Sequence, residues 1–158
     1  MIDFIDTNSG YTWTNNSYGR DSTSTAWRFG GTAYTLPSWR TASGLGSGDH
    51  SVGIPTSTLV AVRPNLYEPG RANIIVYNWA NLTSVPVNVS GILSNGNQYV
   101  VLNVQNLFGP PVASGVYNGS GTITIPLGGV TPTPPIGGSP NPPIKTGPAF
   151  DVFLLVRP

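Results

Sequence analysis

The sequence predicts an all-β protein with one brief helix. Apolar residues recur in short alternating bursts, the period-2 pattern of strands. Glycine and proline, 20 and 16 of 158 residues, fall between those bursts as turn punctuation. Charged residues make up only 8% of the chain against roughly a quarter in an average soluble protein, so Ser, Thr, Asn and Gly must solvate the surface.

The stretch 63–79, RPNLYEPGRANIIVYNW, joins a turn to a strand. In Glu68-Pro69-Gly70-Arg71 proline sets φ at the second position and glycine supplies positive φ at the third, as a type II turn requires. Glu68 and Arg71 are expected to pair across it, an exposed pair worth little stability. Beyond the turn Ile74, Val76 and Asn78 point one way and Ile75, Tyr77 and Trp79 the other, which predicts an interior strand covered on both faces. Before it, 58–63 reads as a strand stopped by Pro64.

In chain order, residues 1–34 hold three short pieces, IDFI at 2–5, YTWT at 11–14 and TAWRF at 25–29, between Asn/Ser/Gly/Asp clusters. Strands spaced about a dozen residues apart suit a coiled parallel β-helix or a set of hairpins. A helix is expected at 36–43: Thr35 caps it, Pro37 sits in its first turn and Gly44 ends it. Gly44-Leu-Gly-Ser-Gly48 then breaks regular structure. From about residue 58 the strands lengthen, which predicts a β-helix-like part at 1–57 and a β-sandwich-like module at 58–158. Val85, Val87 and Val89 alternate with Pro86, Asn88 and Ser90, the mark of a half-buried edge strand. Asn95-Gly96 predicts a hairpin from there into 98–105, and Asn118-Gly119 a second hairpin between 112–117 and 122–127. The proline-rich stretch 128–149, GGVTPTPPIGGSPNPPIKTGPA, holds neither helix nor central strand. It reads as a long loop tied down by a last strand in which Phe150, Val152, Leu154 and Val156 alternate with Asp151, Phe153, Leu155 and Arg157.

Several of these segments together resemble a known class. YTLPSWRTASG followed by DHSV, then RPNLYEPGRANIIVYNW, VLNVQNLFGPPVASGVYNG and the terminal GPAFDVFLLVRP are similar to the C-terminal portion of secreted bacterial right-handed parallel β-helix proteins of the pectate-lyase-like class. The resemblance spans nearly the whole chain and is strongest at 34–119. It implies last β-helix coils followed by a β-sandwich-like module, and a carbohydrate-binding accessory role as one function.

The residue types offer little chemistry. Net charge is +1, with six arginines and one lysine scattered, which leaves no electrostatic footprint for nucleic acid. No run is long enough for a transmembrane helix. MIDF lacks the regions of a signal peptide, so export without one, release within a virion or by lysis, or a start downstream of the true one is expected. There is no cysteine. Asp49-His50-Ser51 contains the residue types of a nucleophilic triad, but chain neighbours cannot aim at one another as a triad does, and a turn with capping side chains is the stronger reading. The acids Asp3, Asp6, Asp21, Asp49, Glu68 and Asp151 are dispersed, without the facing pair of a glycosidase or the clustered ligands of a calcium site. No catalytic residue, metal or cofactor is therefore assigned.

Aromatic rings among short polar groups suit sugar binding, which makes Trp13, Tyr18, Trp27, Tyr34 and Trp39 candidate glycan contacts, with Trp13 and Tyr18 expected to be the exposed ones. Core packing is the competing reading for each ring. The first-ranked function is a non-catalytic structural subunit that assembles with copies of itself or neighbouring structural proteins, extracellularly, at a cell surface or in a virion. An open β-helix end would need cover, few charges mean little repulsion between subunits, and a polyproline-like loop docks at low entropic cost. That loop supplies the candidate contacts Val130, Pro132, Pro134, Pro135, Ile136, Pro142, Pro143 and Ile144.

Overall fold

The computed structural model describes residues 2–4, 9–138, 141 and 143–158, and at Ile2 and Phe4 the backbone alone. Ile5, Asp6 and Pro142 from the sequence reading lie outside the described residues. The fold is all-β with one short helix. The chain divides into two compact units, Met1–Pro55 and Thr56–Pro158.

The first unit is built from very short strands. β1 (Ile2–Phe4) lies parallel to β3 (Trp27–Phe29), which turns through Gly30 and Gly31 into antiparallel β4 (Thr32–Tyr34). β2 (Ser17–Tyr18) runs parallel to β5 (His50–Ser51), and Thr14 makes a single parallel bridge to Ser47. Among the described residues the unit thus combines two parallel strand pairs and that parallel bridge with one hairpin. The strand expected at 11–14 is reduced to that bridge, because Asn15 takes a left-handed φ of 57° and turns the chain away. β4 was not foreseen.

Between β4 and β5 stands α1 (Leu36–Ser43), with Thr35 as N-cap, Pro37 in its first turn and Gly44 left-handed at φ 68°, its N–H bonded to the Arg40 carbonyl. Leu36, Trp39 and Ser43 recur at three- and four-residue spacing and form the buried face. With Ala26, Trp27 and Leu45 the two apolar residues make the core of this unit.

The second unit is a two-layer sandwich. The larger layer has the order β10-β9-β12-β7-β6, with β6 (Leu59–Pro64), β7 (Ala72–Tyr77), β9 (Gln98–Asn103), β10 (Ala113–Val116) and β12 (Phe150–Val156), all antiparallel to their neighbours. The smaller pairs β8 (Ser84–Asn88) with β11 (Thr122–Pro126). Ile74 and Val76 from β7, Val85 and Val87 from β8, Ile123 and Ile125 from β11, and Phe153 and Leu155 from β12 meet between the layers in one cluster.

Three expectations change. The Asn-Gly turns do not close hairpins: β8 pairs with β11 and β9 with β10, so each turn carries the chain from one layer to the other. These strands have one strongly apolar face each, and facing layers let both faces exclude water where side-by-side pairing would leave them uncovered. β7 is interior to its sheet, but within this unit the second layer covers one face alone: Ala72, Ile74 and Val76 are buried, Ile75 is half-buried and Tyr77 exposed. The strand expected at 98–105 ends at Asn103, whose side chain accepts the Gln105 N–H and starts a 3-10 turn at Val104–Asn106.

The β6–β7 connection follows its sequence. Gly70 has φ 85° and the Arg71 N–H reaches the Glu68 carbonyl at 3.2 Å. A Cβ on Gly70 would stand 2.9 Å from Arg157 Cβ, so glycine is required by space as well as by conformation. The Arg71 and Glu68 side chains pair at 2.8 Å across the turn.

Candidate functional site

In the first unit the candidate glycan residues divide by burial. Trp39, at 0% exposure, and Trp27, at 2%, lie in the core, and the Trp39 indole N–H donates to the Arg28 carbonyl at 3.1 Å. Neither ring can meet a sugar, which corrects both assignments. The reason is tertiary: a unit this small fills its interior with its largest apolar side chains. Tyr34, Trp13 and Tyr18 are half-buried and pack against this core, so Trp13 and Tyr18 are not the open platforms expected.

Trp13 and Tyr18 instead belong to a network centred on Asp49. The Trp13 indole N–H donates to the Tyr18 hydroxyl at 2.7 Å, and that hydroxyl donates to Asp49 Oδ2 at 2.5 Å. Asp49 Oδ1 accepts from the Asn16 backbone N–H at 2.8 Å and from its side-chain amide at 3.2 Å. Asp49 is 3% exposed. Burial pushes its carboxyl up, but the donors from Asn16, Tyr18 and Trp13 outweigh burial and hold it below the usual aspartate range. Burial, then the hydrogen bond to Asp49, raises the Tyr18 phenol. This arrangement ties β2 to β5 and engages the Asp49 carboxylate in the framework.

His50 finds a partner the sequence did not reveal. Parallel pairing sets it beside Ser17, with Nε2 3.0 Å from the serine Oγ and Nδ1 3.3 Å from the Gly48 carbonyl. Both side chains are exposed. Ser51 Oγ donates to the Arg20 carbonyl and accepts from the Gly53 N–H, which is the capping role expected of it. Among the described residues no group of three or more His, Cys, Asp or Glu is placed to hold a metal ion, and no helix is long and apolar enough to cross a membrane.

The candidate site lies at one end of the sandwich. Phe150 pairs with Tyr77, Phe153 with Asn103 and Pro126 with Ser84, so β7, β9 and β11 end where β8 and β12 begin. The 104–112 connection and the 127–149 loop meet there. Gln105 clamps the loop: its Nε2 donates to the Ile144 carbonyl at 2.8 Å, and its Oε1 accepts from the Thr146 N–H and hydroxyl at 3.1 and 3.0 Å. The Gln105 carbonyl takes the Thr133 N–H at 2.9 Å. Asn106 bonds the Thr131 carbonyl at 3.2 Å and the Thr133 hydroxyl at 2.9 Å. At the loop's far end the Asn78 side chain donates to the Pro148 carbonyl at 3.0 Å. Asp151, buried on the inner face of β12, accepts from Asn103 at 2.9 Å; its second oxygen has no hydrogen-bond partner among the described residues and lies 2.5 Å from where a Cβ on Gly147 would stand.

The clamped loops present apolar side chains to water. Ile136 and Ile144, both expected contacts, are exposed, and so is Phe108 on the neighbouring connection. Of the other loop candidates Pro134 and Pro143 are exposed, while Val130, Pro132 and Pro135 are half-buried. Phe108 went unrecognised; an aromatic followed by Gly-Pro-Pro, in LFGPP, was the available signal.

Replacing Gln105 with alanine removes the side-chain acceptor of the Thr146 N–H and the donor to Ile144. The Thr146 amide is expected to exchange roughly fivefold faster, since a net hydrogen bond is worth about 1 kcal/mol. Unchanged exchange at Thr146 would show that the clamp does not order the loop.

Comparison with protein-family models, curated proteins and solved structures finds no match to this chain.

Proposed function

We propose that this chain is a non-catalytic structural subunit that assembles with copies of itself or with neighbouring structural proteins outside a cell, as part of a filament, surface layer or virion. The observation that carries this reading is the exposure of the large apolar side chains Phe108, Ile136 and Ile144, on a connection and a loop that hydrogen bonds tie together at Thr133, Ile144 and Thr146. Isolated exposed apolar residues are ordinary, but a group of them on one ordered end marks a contact surface. Pre-ordering by Gln105 and Asn106 lowers the entropy lost on docking. Scarce charge reduces repulsion between subunits. A catalytic role has less support, because the buried acid Asp49 is engaged in the framework and Ser17 and His50 stand open to solvent.

Sedimentation velocity across a concentration series tests the proposal. Species larger than the monomer are expected, growing with concentration and reduced when Ile136 and Ile144 are both changed to serine. A parent chain that stays monomeric to about 1 mM, where even millimolar contacts register, removes self-assembly.

A further inference from the structure

Beside the exposed loops lies a cleft of about 460 Å³, lined by Asn106, Pro110, Pro111, Val112, Pro126 and Val130, with Gly129 and Thr131 completing it. No charged residue lines it. Phe108 lies two residues along the chain from both Asn106 and Pro110, which line the cleft. The turn that carries Phe108 is closed by the Gly109 N–H on the Asn106 carbonyl at 3.1 Å. Gly109 presses so close that a Cβ there would be 2.6 Å from the Asn106 amide nitrogen. This turn holds the Phe108 ring in solvent, outside its own cleft.

An exposed aromatic knob and an uncharged, proline-walled cleft on the same end of the same molecule have the form of one self-complementary surface. We propose that Phe108 of one copy seats in this cleft of a second copy, and the reverse, about a two-fold axis. The inference rests on the assembly reading and names its contact. Knob and cleft share one end, so a two-fold rotation brings each ring to the other's cleft and satisfies both at once, as an isologous contact requires. Proline and valine offer apolar C–H surface to an aromatic face, the pairing that proline-recognising grooves use. With no charge in the cleft, seating the ring desolvates no ion. A volume in the range of small-ligand sites, roughly 300–1,000 Å³, accommodates one aromatic side chain. A closed two-fold pair stops at two copies, so an extended assembly would add a second contact elsewhere.

The test uses Phe108→Ala, which removes the knob, and Thr131→Arg, which puts a long charged side chain at the cleft. Both positions are exposed, so unchanged circular dichroism and melting are expected. In sedimentation velocity each variant alone should dimerise roughly a hundredfold more weakly, since a buried aromatic anchor is lost twice per pair. An equimolar mixture should recover part of the affinity, because the alanine variant keeps its cleft and the arginine variant its knob. If the parent assembles and both variants assemble equally well, the knob-and-cleft contact is overturned while assembly stands. If the parent is monomeric throughout, both are overturned.

Discussion

Trp39→Ala is expected to destabilise the first unit by about 3–5 kcal/mol, the usual cost of deleting a buried tryptophan. Trp39 is fully buried and packs with Trp27, Leu36 and Leu45. On its other side a Cβ placed on Gly46 would come within 2.8 Å of Cζ3. A unit of 55 residues buries a smaller fraction of its surface than a large domain, so it has little margin for a cavity of this size. Trp39→Phe keeps much of the ring and loses the N–H bond to the Arg28 carbonyl, for which about 1–3 kcal/mol is expected from the stranded carbonyl and the partial cavity. Urea unfolding followed by tryptophan fluorescence measures both. An alanine variant within about 1 kcal/mol of the parent would remove Trp39 from the core and reopen the glycan reading of that ring.

Asp49→Ala strands the Asn16 N–H, the Asn16 amide and the Tyr18 hydroxyl in a part-buried site, and a loss of about 3 kcal/mol is expected from the charge-assisted bonds it removes. The same network sets a pH dependence. The Asp49 carboxyl is held below its unfolded value of about 3.9, so its contribution is present above that pH and is lost as pH falls through the folded value. Tyr18 is raised, so its contribution is complete below its unfolded value of about 10 and is lost as pH rises through the folded one. Asp21, lowered by the Thr23 N–H and hydroxyl, adds an acid slope of the same sign. Melting temperature recorded from pH 2 to 7 should fall steeply at the acid end in the parent and less in Asp49→Asn, with the Asp21 slope left behind. Identical acid limbs in parent and variant would show that Asp49 does not anchor this unit.

Much of the local structure was legible because its signals are local. Thr35, Pro37 and Gly44 delimit α1 through bonds and dihedrals within a few residues of each other, and no distant contact is needed to read them. The Pro-Gly turn before β7 and the alternation in β8, β11 and β12 are of the same kind: a residue's parity along a strand decides its face once any second layer exists. β4, three residues beyond Gly30-Gly31, carries too short a pattern to register.

The site was legible in part. Ile136 and Ile144 stand out as apolar residues in a segment that cannot enter a sheet, so their exposure follows from sequence. The clamp does not, because Gln105 reaches Ile144 across 39 positions and Asn106 reaches Thr133 across 27. Taken alone, the sequence determined the strand character, the helix and its caps, the turns and the length of the proline loop, all of which depend on neighbours along the chain. Tertiary structure alone decided that the Asn-Gly turns cross between layers, that Trp27 and Trp39 are core, that Asp49 gathers Asn16 and Tyr18, and that Asn106, Pro110 and Val130 line one cleft. Each of these outcomes depends on which distant surfaces exclude water together, and a residue's own neighbours carry no record of that.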